Sequence, residues 1–529
     1  MEWSWLGAGA FGIVLRALEA SRSVDVAVKF VAADEDYERH EIAKEALILR
    51  LLSRLRAPAF PLYYGAQWLV APWQWAGLVP VKNMPKKSNG LNNGADTLKP
   101  DHTGVMLMAQ EYASGGSLLS ALRTKQTPAA TAAFLLVWSI THAQGAFGVR
   151  FADIHVANVL WQPLPKSETG VFVLLFQHQD DETTATAAAV RARFRVTMTG
   201  RPLLIDMGKS NIYSPLAPAE EADLRADGGG GMDWAPATSY RPLAPSDDDE
   251  LALHSPPELL FRARASDPLP GAPADWWQMG VLLFTIAGWA PARTVLSAAE
   301  RQSLDECLAA WKETGDLVDL LPYAVSDATL FVQFQALLED ARQRVLPTAA
   351  NWKRRINDAQ NTYGHLYRRF LGVILLQQAL GNALLPPLPP DTATAPPFLR
   401  LLHDLRVYTF LVKTVGGPVG ACYRRVVGAM DPEARALIAR LLAWAPAERP
   451  SGVAVLEHAY FAHLREPAAC TYVMDDRPPL TMDAPAARDE AAMAARRDDL
   501  CTQRHVPVAD ANLGPDQIVL NLLTAASVL

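Results

Sequence analysis

The residues best suited to chemistry are a glycine-rich segment near the start of the chain and polar side chains further along it. Gly7, Gly9 and Gly12 lie in the segment GAGAFGIV. Glycines at this spacing let backbone N–H groups approach phosphate oxygens without obstruction by side chains. A segment of this kind is suited to chemistry on a phosphate group.

The glycine pattern G-x-G-x-x-G is ambiguous, because it also occurs in dinucleotide-binding folds and in plain glycine-rich turns. A dinucleotide fold requires a helix directly after the third glycine. Here Ile13, Val14 and Leu15 follow, and these residues favour a strand. We therefore expect a phosphate-binding hairpin between two strands.

Four further segments resemble motifs of the eukaryotic-type protein kinase superfamily. Val26–Lys29 (VAVK) resembles the strand V-A-I-K, and 151–160 (FADIHVANVL) resembles the catalytic loop H-R-D-x-x-x-x-N. Asp206–Gly208 (DMG) resembles the D-F-G motif, and 106–118 (MLMAQEYASGGSL) resembles the hinge strand, with Gln110 as the gatekeeper. The same order of motifs along the chain makes the resemblance specific.

The resemblance implies a role for each matching residue. The catalytic residues would be Asp153, Lys29, Glu45 and His155, with Asp153 orienting the attacking hydroxyl and Glu45 pairing with Lys29. Glu41 is the alternative partner of Lys29. Magnesium would be held by Asn158 and Asp206. ATP would be bound by these residues: Gly7, Gly9, Phe11, Gly12, Val14, Ala27, Lys29, Glu111, Ala113 and Leu160.

Three marks nearer the C-terminus resemble elements typical of protein kinases and normally absent from small-molecule phosphotransferases. Ser255–Glu258 (SPPE) resembles A-P-E, and Asp275–Gly280 (DWWQMG) resembles D-x-W-x-x-G. Arg449 matches the arginine that pairs with the A-P-E glutamate, here Glu258. These marks favour a protein substrate.

The chain also departs from the kinase pattern. Ala152 replaces the arginine of H-R-D, so we expect activity without phosphorylation of the activation segment. Phe151 replaces the histidine and, with Met207 and Leu49, would form an apolar column. His155 stands where Ser/Thr kinases place a lysine, so it supplies no full charge when neutral. This form of the loop also resembles haspin-like kinases and kinases of large DNA viruses.

These residues need a scaffold, and the sequence predicts a two-lobed α+β fold. We expect a small antiparallel-sheet lobe over 1–113 with an insert at about 82–103. Its strands would cover Gly12–Ala17 and Val24–Phe30, and its helix Tyr37–Leu55. A mainly helical lobe follows over 114–465. Its inserts lie at about 162–201, 214–250 and 300–425, and a tail covers 466–529 with a docking helix at 517–529.

Composition excludes several other classes of protein. The net charge of −7 argues against a dedicated nucleic-acid binder. Cys307, Cys422, Cys470 and Cys501 are too scattered for a zinc or redox motif. We expect no signal peptide, no membrane span and a cytoplasmic or nuclear location, in the host cell if the protein is viral.

The sequence thus predicts an ATP- and magnesium-dependent kinase acting on Ser/Thr of a protein, with a docking surface for a partner on the insertion at about 316–405. Two alternatives stay open. One is a pseudokinase that binds ATP as a scaffold, which Ala152, His155 and Met207 favour. The other is a small-molecule phosphotransferase, whose catalytic loop can also read D-x-H-x-x-N.

Overall fold

The structure is a computed structural model of the chain. It describes residues 1–9, 12–19, 24–33, 36–69, 81–82, 104–176, 189–212, 272–310, 315–325, 329–345, 362–388, 397–466, 480–483, 513 and 515–526. All structural statements below concern these residues.

A six-stranded sheet forms the N-terminal lobe. Its strands are β1 (Glu2–Gly9), β2 (Gly12–Glu19), β3 (Val24–Ala33), β4 (Tyr63–Leu69), β5 (Val81–Lys82) and β6 (Gly104–Glu111). The order across the sheet is β4-β6-β3-β2-β1-β5, antiparallel except for the β1–β5 edge. The structure confirms the two predicted strands, which are β2 and β3. The predicted hairpin is formed by β1 and β2.

One helix, α1 (Asp36–Arg54), packs against one face of this sheet and agrees with the predicted helix. Its buried residues Ile42, Ala46, Leu49 and Leu52 recur every three or four positions, so they form one apolar face. Burial of this face fixes the rotation of the helix, and therefore the direction in which Glu45 points.

The rest of the chain is mainly helical, which confirms the two-lobed α+β fold. The described helices are α2 (Leu118–Arg123), α3 (Ala129–Phe147), α4 (Ala272–Val295), α5 (Ala298–Ala310), α6 (Leu317–Val325), α7 (Thr329–Val345), α8 (Thr362–Ala379), α9 (Pro397–Leu402), α10 (Leu405–Gly416), α11 (Pro418–Gly428), α12 (Pro432–Leu441), α13 (Gly452–Leu456) and α14 (Pro515–Ala525). Most of α4 is buried, so it forms the central helix of the lobe.

The insertion predicted at about 162–201 contains a long antiparallel ribbon. Its strands are β8 (Val159–Phe176) and β9 (Ala189–Leu204), which follow the short strand β7 (Val149–Arg150) and precede β10 (Asn211–Ile212). The polar and proline-rich composition of 162–191 gives no indication of these strands. Proline is tolerated here because the register shifts between Pro163 and Glu168, where the ladder is interrupted.

Two parts of the tail return to the rest of the fold. Strand β11 (Leu480–Asp483) pairs in parallel with β8. Helix α14 packs on the face of the N-terminal sheet opposite α1, where Ile518, Val519 and Leu523 are fully buried. The prediction of a docking helix near the end of the chain is thus confirmed.

Within the described ranges, no single helix combines the length and hydropathy needed to cross a membrane. Two helices meet the length and composition requirements for a membrane span only as a pair, and the pair is bent by 111°. These helices are Leu317–Val325 and Thr329–Ala341.

Candidate active site

The structure brings Lys29, Glu45 and Asp206 together. Nζ of Lys29 lies 2.8 and 2.9 Å from the two carboxylate oxygens of Glu45 and 3.0 Å from Oδ1 of Asp206. Glu45, rather than the alternative Glu41, is therefore the partner of Lys29; the side chain of Glu41 lies outside the described residues. A single ammonium group connects the sheet, the helix and the segment that follows β9.

Each of these three side chains is placed by its own element. Lys29 lies in the middle of β3, paired with Val14 of β2 on one side and Met108 of β6 on the other. Glu45 is carried by the buried face of α1. Asp206 follows the end of β9, and its φ of 62° lies in the left-handed region, which is costly for a residue with a side chain.

Burial and charge have opposite effects on Lys29. Burial alone would lower the pKa of its ammonium group, but the carboxylates of Glu45 and Asp206 outweigh burial and raise that pKa above its usual value. Lys29 is therefore firmly cationic. Asp206 has a half-exposed side chain, so its carboxylate can reach a ligand while bonded to Lys29.

Asp153 lies in a second cluster of charge. Oδ2 of Asp153 is 3.7 Å from Nε2 of His155 and 3.5 Å from Nζ of Lys209. Its other carboxylate oxygen, Oδ1, is buried and has no hydrogen-bond partner among the described residues. Burial alone would raise the pKa of Asp153, but His155 and Lys209 outweigh it and lower that pKa, so the group is an ionised acceptor.

The central helix α4 holds the loop that carries Asp153. The carboxylate of Asp275 accepts hydrogen bonds from the N–H groups of Phe151 and Ala152, both at 3.0 Å. The side chain of Gln278 accepts from the N–H of Ile154 at 3.0 Å and donates to the carbonyl of Ala152 at 2.7 Å. These bonds hold Ala152 at a positive φ of 61°. The loop is therefore rigid before any substrate binds.

Asn158 forms hydrogen bonds with both the catalytic loop and the segment that leads to Asp206. Its side-chain amide donates to the carbonyl of Asp153 at 3.1 Å, and its own carbonyl accepts from the N–H of Ile205 at 2.8 Å. The second bond is one residue from Asp206. Because the amide nitrogen is used in this way, the amide oxygen of Asn158 is the atom suited to a cation.

Gly7 and Gly12 of the hairpin differ in their surroundings. A Cβ at Gly12 would lie 2.0 Å from the carbonyl oxygen of Phe30, so only glycine allows β2 and β3 to approach there. A Cβ at Gly7 would meet nothing within 4 Å. Gly9 pairs with Gly12 at the end of the β1–β2 ladder. Gly12 is thus required by the sheet itself, and Gly7 is the position open to a ligand.

The residues predicted to contact adenine lie where the sheet meets the helical lobe. Ala27 of β3 pairs with Gln110 of β6, next to Glu111. The side chain of Glu111 pairs with Arg201 and accepts from the N–H of Leu62. The adenine contact predicted for Glu111 is through its backbone and stays a prediction. Leu160 forms an isolated bridge with Ser117, and Ala113 is buried.

Several predictions fall outside the described residues or take a different form. Phe11 and Glu258 lie outside them, so the pair Arg449–Glu258 is untested. Among the described residues, Arg449 donates to the carbonyls of Ala443, Trp444 and Pro273 and lies over the ring of Trp277. Phe151, Met207 and Leu49 are all buried in the same apolar core, as predicted.

Sequence reasoning missed two contributors to this site. Lys209 was overlooked because no motif marks the third position after Asp206. Asp316 was assigned only to an insertion, yet its carboxylate accepts from the N–H of Val156 at 3.3 Å. Its position in a long segment between motifs gave no sign of contact with the catalytic loop.

No family model and no curated protein matches this sequence. Among solved structures, the crystal structure of the kinase domain of PF14_0431 is similar, with a TM-score of 0.40 and 12% sequence identity. The match covers 87% of this chain and 94% of that chain.

Proposed function

We propose that the chain is an ATP- and magnesium-dependent protein kinase that transfers the γ-phosphate of ATP to a serine or threonine hydroxyl. The observation that carries this proposal is the position of Lys29. Its amine lies within 3.0 Å of the carboxylates of both Glu45 and Asp206, which are 16 and 177 positions away in the chain. Such convergence is what a phosphate-positioning lysine requires.

The residues divide the work of the transfer between them. The backbone of the glycine hairpin and the amine of Lys29 hold the phosphates, and Glu45 keeps Lys29 from turning away. The carboxylate of Asp153 accepts the proton of the substrate hydroxyl. The hydroxyl oxygen forms a bond to the γ-phosphorus while the bond to the bridging oxygen breaks, and ADP leaves. Positioning and charge supply most of the acceleration.

The predicted metal ligands fit a magnesium ion that is shared with substrate phosphates. They do not form a site that would hold a metal ion by protein side chains alone. Among the described residues, no group of three or more His, Cys, Asp or Glu side chains is placed to hold an ion. Magnesium usually takes one or two carboxylates together with substrate phosphates. Asp206 and Asn158 would supply the protein ligands, and the bound ion would neutralise charge on the phosphates.

A protein substrate is favoured by the way α4 supports the catalytic loop. Asp275 and Gln278, both in the segment that resembles D-x-W-x-x-G, hold the backbone on both sides of Asp153. The resemblance associates this segment with protein kinases. Serine and threonine are proposed as acceptors because they are the more common class within that superfamily.

The test is transfer of label from [γ-³²P]ATP to casein, histone and myelin basic protein by the purified full chain, followed by analysis of the phosphorylated amino acids. We expect magnesium-dependent labelling of serine or threonine. A thermal shift with Mg·ATP but no transfer would favour the scaffold alternative. Label found only on small hydroxyl compounds would favour the small-molecule phosphotransferase.

A further inference from the structure

The charge next to Asp153 comes from a residue outside the catalytic loop. Lys209 lies three positions after Asp206, and its Nζ is 3.5 Å from Oδ2 of Asp153. His155, which occupies the place of the usual lysine, approaches the same oxygen at 3.7 Å. An imidazole carries a full charge only when protonated, whereas a lysine is charged at neutral pH.

A short turn fixes Lys209 in this position. The N–H of Ser210 donates to the carbonyl of Met207 at 2.9 Å, and its hydroxyl donates to the carbonyl of Phe151 at 3.1 Å. Directly afterwards, Asn211 pairs with Arg150 in the β7–β10 ladder. The segment is therefore bound to the start of the catalytic loop directly after Lys209, which places Lys209 beside Asp153.

The site has the accessibility that a reacting group needs. About 30% of the Lys209 side chain is exposed, so its amine can reach a ligand as well as Asp153. The buried guanidinium group of Arg369 donates to Asp316 and Asp319 beneath the loop. Both cationic contacts of Asp153 fall on Oδ2, so Lys209 lies beside the carboxylate that receives the hydroxyl proton.

We propose that Lys209 is a further catalytic residue of the proposed kinase reaction: its ammonium group binds an oxygen of the γ-phosphate and takes over the task of the lysine that His155 replaces. This inference rests on the proposed function. The ammonium group offsets negative charge as the γ-phosphate moves to the hydroxyl oxygen, and it orients Asp153 at the same time.

The test compares steady-state kinetics of the wild type, Lys209→Met, Lys209→Arg and the double variant His155→Lys/Lys209→Met. Loss of one charged donor at a reacting group typically lowers kcat by about 10²–10³-fold. We expect a loss of this size in Lys209→Met with little change in KM for ATP, retention of most activity in Lys209→Arg, and recovery in the double variant. Lys413→Met, at an exposed position of α10, is the matched control and should behave as wild type.

The outcomes separate this inference from the proposed function. Equal kcat in wild type and Lys209→Met, with normal thermal stabilisation by Mg·ATP, would overturn the role of Lys209 alone. A loss that His155→Lys does not restore, accompanied by a lowered melting temperature, would show that Lys209 is only structural and would also overturn it. Absence of transfer by the wild type would remove the proposed function and this inference together.

Discussion

Nη1 of Arg369 lies 3.0 Å from a carboxylate oxygen of Asp316, and both side chains are buried beneath the catalytic loop. The same nitrogen lies 2.7 Å from Asp319. Asp316 in turn accepts from the N–H of Val156 and, at 3.1 Å, from the hydroxyl of Thr285 on α4. A segment of the insertion therefore supports the loop that carries Asp153.

Removal of the cation from this buried cluster should be strongly destabilising. Arg369→Leu leaves two buried carboxylates without their partner, and breaking a buried pair in this way typically costs about 3–5 kcal/mol. The measurement is the midpoint of urea unfolding followed by tryptophan fluorescence. Arg406→Leu, which removes an exposed ion pair with Asp340, is the control and should shift the midpoint far less. Equal shifts of the unfolding midpoint in the two variants would contradict the assignment of Arg369 as the partner of the two buried carboxylates.

Stability should also depend on the ionisation of Asp319. Burial raises the pKa of Asp319 to about 6, with Arg369 opposing the shift and Asp316 adding to it. Since the folded pKa exceeds the unfolded one, the native state binds the extra proton between about pH 4 and 6. The stability associated with Asp319 is therefore present below pH 4 and lost as the pH rises through 6.

The measurement is the difference in unfolding free energy between the wild type and Asp319→Asn from pH 4 to pH 7. Subtraction removes the titration of the other carboxylates. A shift of about two pKa units corresponds to roughly 3 kcal/mol, so the wild type should lose up to this amount relative to the variant as the pH rises. A difference that stays flat, or that grows in favour of the wild type, would show that Asp319 is not perturbed.

Gly7 and Gly12 of the hairpin should respond differently to alanine. Gly12→Ala places a Cβ against the backbone of Phe30, and overpacking of this kind costs about 1–3 kcal/mol or more. Gly7→Ala meets no neighbour, so it should leave the melting temperature unchanged while it weakens ATP binding. The measurements are the melting temperature of the free protein and its shift with Mg·ATP. A lowered melting temperature of the free Gly7→Ala protein would show that position 7 does not have room for a side chain.

Helix α14 should stabilise the N-terminal sheet. Leu523 is fully buried against the sheet, and truncation of a buried leucine to alanine typically costs about 2–5 kcal/mol. Leu523→Ala should therefore lower the unfolding midpoint, whereas Leu520→Ala on the partly exposed side of the helix should have a small effect. Equal shifts of the unfolding midpoint in the two variants would show that Leu523 does not lie on the face of α14 that packs against the sheet.

Much of the site could be predicted from the sequence because its residues lie in short local motifs. Four site residues lie within a strand or close to its end, and the apolar residues of these strands are visible in the sequence. They are Lys29, Asp153, Asn158 and Asp206. Glu45 could be chosen over Glu41 because Leu49 continues the buried face of the helix. Local patterns of this kind carry information about both burial and direction.

The remaining parts depend on contacts between distant segments, which local patterns do not record. Lys209 meets Asp153 only because the β7–β10 pairing brings the two segments together. Asp316 and Arg369 come from an insertion with no motif of its own. The β8–β9 ribbon was missed because Pro163 and Pro165 lower the strand propensity of its first strand, which a register shift then accommodates.

The central claim is tested most directly by transfer of label from [γ-³²P]ATP in the wild type beside Lys29→Met and Asp153→Asn, with Lys413→Met as the control. We expect label on protein for the wild type and the control, and a loss of at least about 100-fold in both site variants because each removes a group that acts on the transferred phosphate or its acceptor. Undiminished labelling in Lys29→Met and Asp153→Asn would contradict the account, since the reaction would then be carried by other residues.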